Sequence, residues 1–171
     1  MRPAVFTAVL LLVGIISTVT ALSTAPPVET CAQLKESECD EPGWIRFGGS
    51  RCMKYFRTPK SFHQALECCH CMDSELLSVH NEEENNNAMC MSYYYRNPIH
   101  AVSFWIGAHR VGGALKYLDG TEFKYGKWRT RQPDNYRGRE GCVEINAGKE
   151  WGKWNDYLCY VKRDFVCVKR K

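Results

Sequence analysis

Membrane-spanning segments and catalytic motifs are what this sequence lacks. After residue 21, no stretch is apolar and long enough to cross a bilayer. The chain holds neither a Gly-x-Ser-x-Gly nor a His-Glu-x-x-His motif, so we find no nucleophile–base pair. Its formal net charge of +4 is too mild to imply nucleic acid, and long acidic repeats typical of mineral-binding proteins are missing. These absences disfavour an enzyme, a nucleic-acid-binding protein and a protein with an internal membrane span.

The only long apolar run lies at the N-terminus, from about Ala4 to Val19. It is short for a membrane span, and Val19-Thr20-Ala21 has small residues at the positions that a signal peptidase reads. We therefore predict a signal peptide over residues 1–21 and a secreted, extracellular protein.

Residues 22–38 are rich in Thr, Ser, Pro and Glu and show no apolar periodicity. They are predicted to form a short linker that carries one thiol, Cys31. The domain proper is predicted to span residues 39–171, which is enough chain for one core of ordinary size.

All 10 cysteines follow the predicted cleavage site. An even number in a chain sent to an oxidising compartment indicates a disulfide framework. The run Cys68-Cys69-His70-Cys71 could suggest a zinc site. However, consecutive helical residues point about 100° apart, so these four side chains cannot converge on one ion.

Two helices are predicted in the first half of the domain. Thr58 can cap the first and Pro59 suits its first position. An apolar stripe at helical spacing then follows, formed by Phe62, Ala65, Leu66 and Cys69. The second starts at Asn81-Glu82-Glu83-Glu84, where Asn81 can cap and the acidic turn suits the helix dipole.

Short strands dominate the rest of the domain. Alternating or apolar segments bounded by turn residues predict strands at Trp44–Phe47, Phe104–Gly107, Leu115–Leu118, Cys142–Ile145 and Phe165–Val168. The first is predicted to form a hairpin closed by Cys39 and Cys52. Helices followed by antiparallel strands indicate an α+β domain.

Oxygen-bearing side chains concentrate in two nearby segments, Gln132–Cys142 and Trp154–Asp156. Five of them mix neutral amides with carboxylates, the ligand set that a hard cation such as Ca²⁺ prefers. They are Gln132, Asp134, Glu140, Asn155 and Asp156. A cis Gln132–Pro133 bond would point the two flanking side chains the same way.

From about Cys39 to Lys171 the chain resembles a C-type lectin-like domain, galactose-type, of a secreted lectin. The resemblance is carried by motifs in their characteristic order and spacing: Gly43-Trp44-Ile45, Trp105-Ile106-Gly107, Gln132-Pro133-Asp134, Glu140, Cys142, Trp154-Asn155-Asp156, Cys159 and Cys167. It implies two helices packed on small antiparallel sheets, a long calcium-binding loop region and no catalysis.

The resemblance also implies the ligand. In this family Gln-Pro-Asp accompanies galactose-type sugars and Glu-Pro-Asn mannose-type sugars. The expected ligands are galactose-containing glycans on glycoproteins or cell surfaces. Their vicinal hydroxyls would contact the ion and the side chains of Gln132, Asp134, Glu140 and Asn155. Tyr136 lies where similar galactose binders place an aromatic ring, although an exposed loop tyrosine is the alternative.

Three disulfides are implied by the resemblance: Cys39–Cys52, Cys69–Cys167 and Cys142–Cys159. Of the remaining four cysteines, Cys68 and Cys71 share a helix face that is turned away from Cys69. One of them can reach Cys90, and we favour Cys71–Cys90. The other could meet Cys31, or Cys31 could link two chains into a homo-oligomer.

Two departures from the family pattern affect the site. Carboxylates that would hold an additional ion are missing from the loop 108–113 and from positions 135 and 141, so one Ca²⁺ is predicted. A glycine-rich insertion after Tyr136 is also missing, which predicts modest selectivity. Arg137 and Arg139 could favour sulfated or sialylated glycans, but solvated loop charges are the preferred interpretation.

An alternative function is a lectin-fold interaction module that binds a protein, ice or a mineral surface without sugar. The complete ligand set argues against a lost sugar site. A shallow site for one sugar binds weakly, so biological binding would need several copies, whether disulfide-linked or non-covalent.

Overall fold

The computed structural model describes residues 39–95, 103–146 and 150–170, together with Cys31 and Leu34. Within them lie two helices, α1 (Phe62–His70) and α2 (Glu82–Tyr95). The eight strands are β1 (Ile45–Phe47), β2 (Arg51–Lys60), β3 (Glu75–Leu76), β4 (Phe104–Val111), β5 (Ala114–Tyr117), β6 (Cys142–Asn146), β7 (Lys153–Tyr157) and β8 (Arg163–Arg170). No helix in these ranges is long and apolar enough to cross a membrane.

The strands form one mixed sheet in the order β1-β2-β8-β4-β6-β7, with β3 paired to β8 and β5 paired to β4. Strands β4 and β8 run parallel, and the other pairs are antiparallel. Pairing of β2 with β8 brings the beginning and the end of the domain together. The predicted α+β class and the β1–β2 hairpin are confirmed, and β6 and β7 carry the second half of the candidate site.

Helix α1 begins later than the sequence pattern predicts. Strand β2 continues through Thr58 and Pro59, and the register of β2 against β8 shifts in this stretch, where a proline is tolerated. The cap is Ser61, whose side chain accepts from the backbone N–H of Gln64. The predicted apolar stripe is present, with Phe62, Ala65 and Cys69 buried.

Helix α2 begins as predicted. The Oδ1 atom of Asn81 accepts a hydrogen bond from the backbone N–H of Glu84 at 2.9 Å. The Glu84 carboxylate in turn accepts from the backbone N–H of His80 at 2.8 Å, which satisfies a further donor at the helix start. The glutamate run therefore starts a helix.

Four disulfides lie in the described part of the chain, and they include the three that the resemblance implies: Cys39–Cys52, Cys69–Cys167 and Cys142–Cys159. The prediction of Cys71–Cys90 is wrong, because Cys90 is bonded to Cys31. Cys90 is buried on α2 in the same core cluster as Cys31, whereas Cys68 packs against a different cluster. Cys68 is half-buried, Cys71 is exposed, and both are unpaired.

Two described residues lie upstream of the predicted boundary at Cys39. Cys31 and Leu34 are buried in the core, so these two residues are packed against the domain although they fall in the predicted linker. The predicted signal peptide, residues 1–21, lies outside the described residues.

Two buried tryptophans and one close backbone contact pack the part of the sheet that carries Arg110 and Asp156. Trp105 on β4 and Trp154 on β7 are fully buried. Gly107 on β4 is required by packing, since a Cβ atom there would lie 2.4 Å from the carbonyl oxygen of Leu76. Strands β4 and β7 carry Arg110 and Asp156, whose side chains meet at 2.8 Å.

Candidate functional site

Three carboxylates converge beside β7. Oxygen atoms of Asp134, Glu140 and Asp156 all lie within 4.8 Å of one another, and the side chains of Glu140 and Asp156 are buried. Within the part of the chain that the structure describes, this is the one group of three or more acidic, histidine or cysteine side chains placed to hold a metal. Three such charges repel one another, and a bound cation would remove that repulsion.

Backbone amides hold the loop against Asp156. Its Oδ1 accepts from the N–H of Asp134 at 3.1 Å, and its Oδ2 accepts from the N–H of Asn135 at 2.9 Å. The Gln132–Pro133 peptide bond just before this turn is cis. The fully buried Asp156 side chain therefore anchors the tripeptide at its C-terminal end.

Asn135 closes the loop, a role that sequence reasoning missed. Its Oδ1 accepts from the N–H of Glu140 at 3.1 Å, while Glu140 Oε2 accepts from the N–H of Tyr136 at 3.2 Å. Asn135 has a φ of 45°, a left-handed conformation that asparagine tolerates better than most residues. The sequence signal is the segment Pro133-Asp134-Asn135, whose residue types are typical of a turn.

Arg110 is the second functional residue that sequence reasoning missed. Its guanidinium donates to Asp156 Oδ2 at 2.8 Å, to the carbonyl oxygen of Gly113 at 3.0 Å and to that of Glu140 at 3.5 Å. It thus places a permanent positive charge behind the acid cluster. The sequence signal is only a basic residue in the loop 108–113, and no local pattern links it to Asp156.

The two predicted amide ligands make contacts of their own. Gln132 Oε1 accepts from the N–H of Asp134 at 3.3 Å, which keeps it beside the tripeptide. The Asn155 amide nitrogen donates to Glu144 Oε1 at 3.3 Å, and Glu144 Oε2 is paired with Arg163 at 2.5 Å. The structure thus brings the three predicted acids together. Gln132 contacts the backbone of Asp134, and Asn155 contacts the side chain of Glu144.

The acid cluster and its burial shift the pKa of Glu140. Burial raises the pKa of Glu140 above its ordinary value, and the charges of Asp156 and Asp134 raise this pKa further. The N–H of Tyr136 opposes this shift by donating to the carboxylate. Three clustered carboxylates, one of them with a raised pKa, form a ligand set that fits a hard divalent cation, because a bound cation favours the ionised form.

Tyr136 borders the acid cluster and begins a short 3₁₀ helix, Tyr136–Gly138. Its side chain is 57% exposed, and the guanidinium of Arg137 lies 5.1 Å from the centre of its ring. The ring is thus available at the surface next to the carboxylates, with a cation already stacked on it.

The family model described as "Lectin C-type domain" matches residues 58–169, about two thirds of the chain. The chain belongs to the C-type lectin domain family.

Relatives of this C-type lectin domain include two fish lectins. The C-type isolectin Sp-CL4 of Scorpaena plumieri is 38% identical over 142 residues, which cover 83% of this chain and 96% of that protein. The galactose-specific lectin nattectin of Thalassophryne nattereri is 33% identical over 140 residues, covering 78% and 81% respectively.

A solved structure of a calcium-independent type II antifreeze protein has a similar fold. It has a TM-score of 0.65 and 26% sequence identity, covering 78% of this chain and 95% of that one. The C-type lectin fold therefore also occurs in a protein whose name describes a different role and no calcium.

Proposed function

We propose that this chain is a secreted, calcium-dependent lectin of galactose-type specificity, with Gln132, Asp134, Glu140, Asn155 and Asp156 as the ligands of one Ca²⁺. The observation that carries the proposal is the convergence of three carboxylates within 4.8 Å beside Gln132-Pro133-Asp134. The galactose specificity of nattectin supports the sugar class. Eight cysteines in four disulfides, together with the predicted signal peptide, support an extracellular location.

The proposed ligand set combines two kinds of hydrogen-bonding group. A bound Ca²⁺ would supply open coordination positions for two neighbouring sugar hydroxyls. Each hydroxyl has one proton to donate and two lone pairs. The carboxylates of Asp134 and Glu140 can accept such protons, and the amides of Gln132 and Asn155 can donate N–H groups. The order of acids and amides around the ion would therefore select a hydroxyl geometry.

Tyr136 is proposed to contact the sugar directly. Galactose has a patch of C–H groups on one face, and an exposed aromatic ring beside the ion can cover it. The ring contributes apolar contact and no ligand to the cation, so its role in sugar binding is separable from calcium binding.

Retention on immobilised lactose tests this function. The purified protein should bind the resin in calcium, elute with chelator, and be displaced by free galactose far better than by mannose. Tyr136→Ala should weaken lactose binding about tenfold, roughly 1.4 kcal/mol, while leaving calcium affinity unchanged in calorimetry. Retention that persists in chelator, or stronger competition by mannose, would contradict the proposal.

Calcium binding should weaken in acid, and the weakening should begin at a higher pH than it would if Glu140 had its ordinary pKa. Because the pKa of Glu140 is raised in the ion-free fold, the folded state holds this proton more tightly than the unfolded chain does. Lowering pH through the raised pKa therefore stabilises the ion-free fold and opposes the ion. Each pH unit below that pKa should cost about 1.4 kcal/mol of calcium binding for one displaced proton.

The difference between melting temperatures in calcium and in chelator, followed against pH, measures this effect. This difference in melting temperature should be largest near neutral pH and should disappear as pH falls. In Glu140→Gln the remaining difference should be smaller at neutral pH, and its midpoint should move to lower pH. The same pH dependence in wild type and Glu140→Gln, at the same calcium concentration, would refute the assignment of Glu140.

The second candidate function is a lectin-fold module that binds a protein, ice or a mineral surface without sugar. Two observations favour it: the similarity to a calcium-independent antifreeze protein, and the guanidinium of Arg110 beside Asp156, which supplies a cation without metal. Equal melting temperatures in calcium and in chelator, with no lactose retention, would favour this second function.

A further inference from the structure

A groove continues from the acid cluster across the protein surface. Its cavity has a volume of about 470 Å³ and is lined by Tyr136, Arg137, Arg139, Glu140, Leu158 and Tyr160. Glu140 and Tyr136 belong to both this groove and the candidate sugar site. The groove therefore adjoins the place where a bound galactose would lie. Its volume can hold more than one small substituent of that sugar.

Exposed apolar side chains mark this groove. Among the described residues, three large hydrophobic side chains are exposed, and two of them, Tyr136 at 57% and Tyr160 at 74%, line it. Exposed aromatic rings that gather at one place indicate a contact surface, whereas singly scattered ones need no explanation. With Leu158 they give the groove apolar lining that suits C–H and methyl groups.

The lining of the groove also carries unpaired positive charge. Arg110, Arg129 and Arg163 each form an ion pair with a carboxylate. Within the described part of the chain, no carboxylate pairs with Arg137 or Arg139, and Arg137 only stacks on Tyr136. The one acid of the lining, Glu140, belongs to the proposed cation site. The two guanidinium groups can therefore receive an anionic group of a ligand.

The chemistry of galactose limits where that anionic group can be attached. The axial 4-hydroxyl distinguishes galactose from glucose, so the pair of hydroxyls at the ion must include it. Its only neighbouring ring hydroxyl is at C3, because C5 carries the exocyclic carbon. A substituent on the 3-hydroxyl would therefore block binding, whereas one on the 6-hydroxyl would leave both contacting hydroxyls available.

We propose that this groove is a second subsite, which binds an acidic sugar linked to the 6-hydroxyl of the galactose. Its carboxylate pairs with Arg137 and Arg139, and its apolar face, including an N-acetyl methyl group, packs on Leu158 and Tyr160. A sulfate ester would use the arginines alone and leave the apolar lining without a partner, so a sialic-acid-type residue fits the groove better. This subsite rests on the proposed galactose site.

Isothermal titration with a set of lactose derivatives in calcium tests the subsite. Lactose carrying sialic acid on the galactose 6-hydroxyl should bind about fivefold more tightly than lactose at low salt, and the gain should shrink as salt rises. The isomer sialylated at the 3-hydroxyl should not bind. Lactose sulfated at the galactose 6-hydroxyl should gain less than the 6-sialylated form. An equal or larger gain from sulfate would overturn the acidic-sugar class.

Variants separate the groove from general surface charge. Arg139→Gln and Tyr160→Ala should each remove most of the gain for 6-sialylated lactose and leave the affinity for lactose unchanged. Arg131→Gln is the matched control, since Arg131 is an exposed arginine of the same loop that does not line the groove. In Arg131→Gln the gain in affinity for 6-sialylated lactose over lactose should stay at the wild-type value. If this variant lost as much of that gain as Arg139→Gln, the subsite would be overturned.

The outcomes also distinguish this subsite from the function on which it rests. Wild-type protein that binds lactose in calcium, with no gain from the 6-linked acidic sugar, would overturn the subsite alone. Failure to bind lactose at all would overturn both proposals.

Discussion

Replacing Arg110 by methionine is expected to lower the free energy of unfolding by about 3–5 kcal/mol in chelator, the usual cost of leaving one member of a buried ion pair unpaired. Asp156 is fully buried and its Oδ2 receives the guanidinium at 2.8 Å. Without Arg110 the acid cluster would contain three carboxylates and no cation. The loop amides of Asp134 and Asn135, which donate to Asp156, would be the remaining compensation.

Calcium should reduce this loss. An ion that binds only the folded state stabilises it by mass action, and here it would also neutralise the charge that Arg110 leaves behind. Urea unfolding of wild type and Arg110→Met, each in saturating calcium and in chelator, measures the difference. Arg110→Lys should keep part of the stability, because it retains the charge but cannot reproduce three diverging hydrogen bonds.

Arg51→Met is the matched control for this experiment. Arg51 pairs with the mostly buried Glu84 at the start of α2, away from the acid cluster. Its loss of stability should be the same in calcium and in chelator. An equal loss in both conditions for Arg110→Met as well would show that Arg110 stabilises the fold without acting on the cation site.

Elements set by local pattern could be predicted from the sequence. The cap at Asn81 and the apolar stripe of α1 depend on residues within one or two helical turns. Gln132-Pro133-Asp134 and Trp154-Asn155-Asp156 are equally local, and the pairing of β6 with β7 and the Cys142–Cys159 bond bring their segments together. The acid cluster was therefore accessible from the sequence together with its resemblance to a family.

Features set by distant contacts could not be predicted. Arg110 contacts Asp156, 46 residues later, and no local pattern records that contact. The partner of Cys90 depends on which core cluster each helix joins, and helical spacing alone led to Cys71. The start of α1 depends on β2 continuing through Thr58 and Pro59, because its far end pairs with Arg163 of β8. Each failure is one of tertiary structure overriding a local preference.

Exchanging the acid and the amide of the tripeptide is expected to change sugar preference without removing calcium. Gln132→Glu and Asp134→Asn together gain one carboxylate and lose one, so the formal charge and the five proposed oxygen ligands are kept. The backbone N–H of residue 134, which donates to Asp156, is untouched by either change. Calcium affinity should therefore remain within a few-fold of the wild-type value.

The donor–acceptor order at the sugar hydroxyls would be reversed by this exchange, because the amide now lies on the opposite side of Pro133. Mannose should become the better competitor on immobilised sugar, with a change in preference of about 1–3 kcal/mol, the cost of leaving a desolvated polar group unpaired. The single variants are the controls: each changes the charge by one and should alter calcium affinity in calorimetry. A double variant that loses calcium, or that keeps calcium and still prefers galactose, would show that the order of these two side chains does not set the specificity.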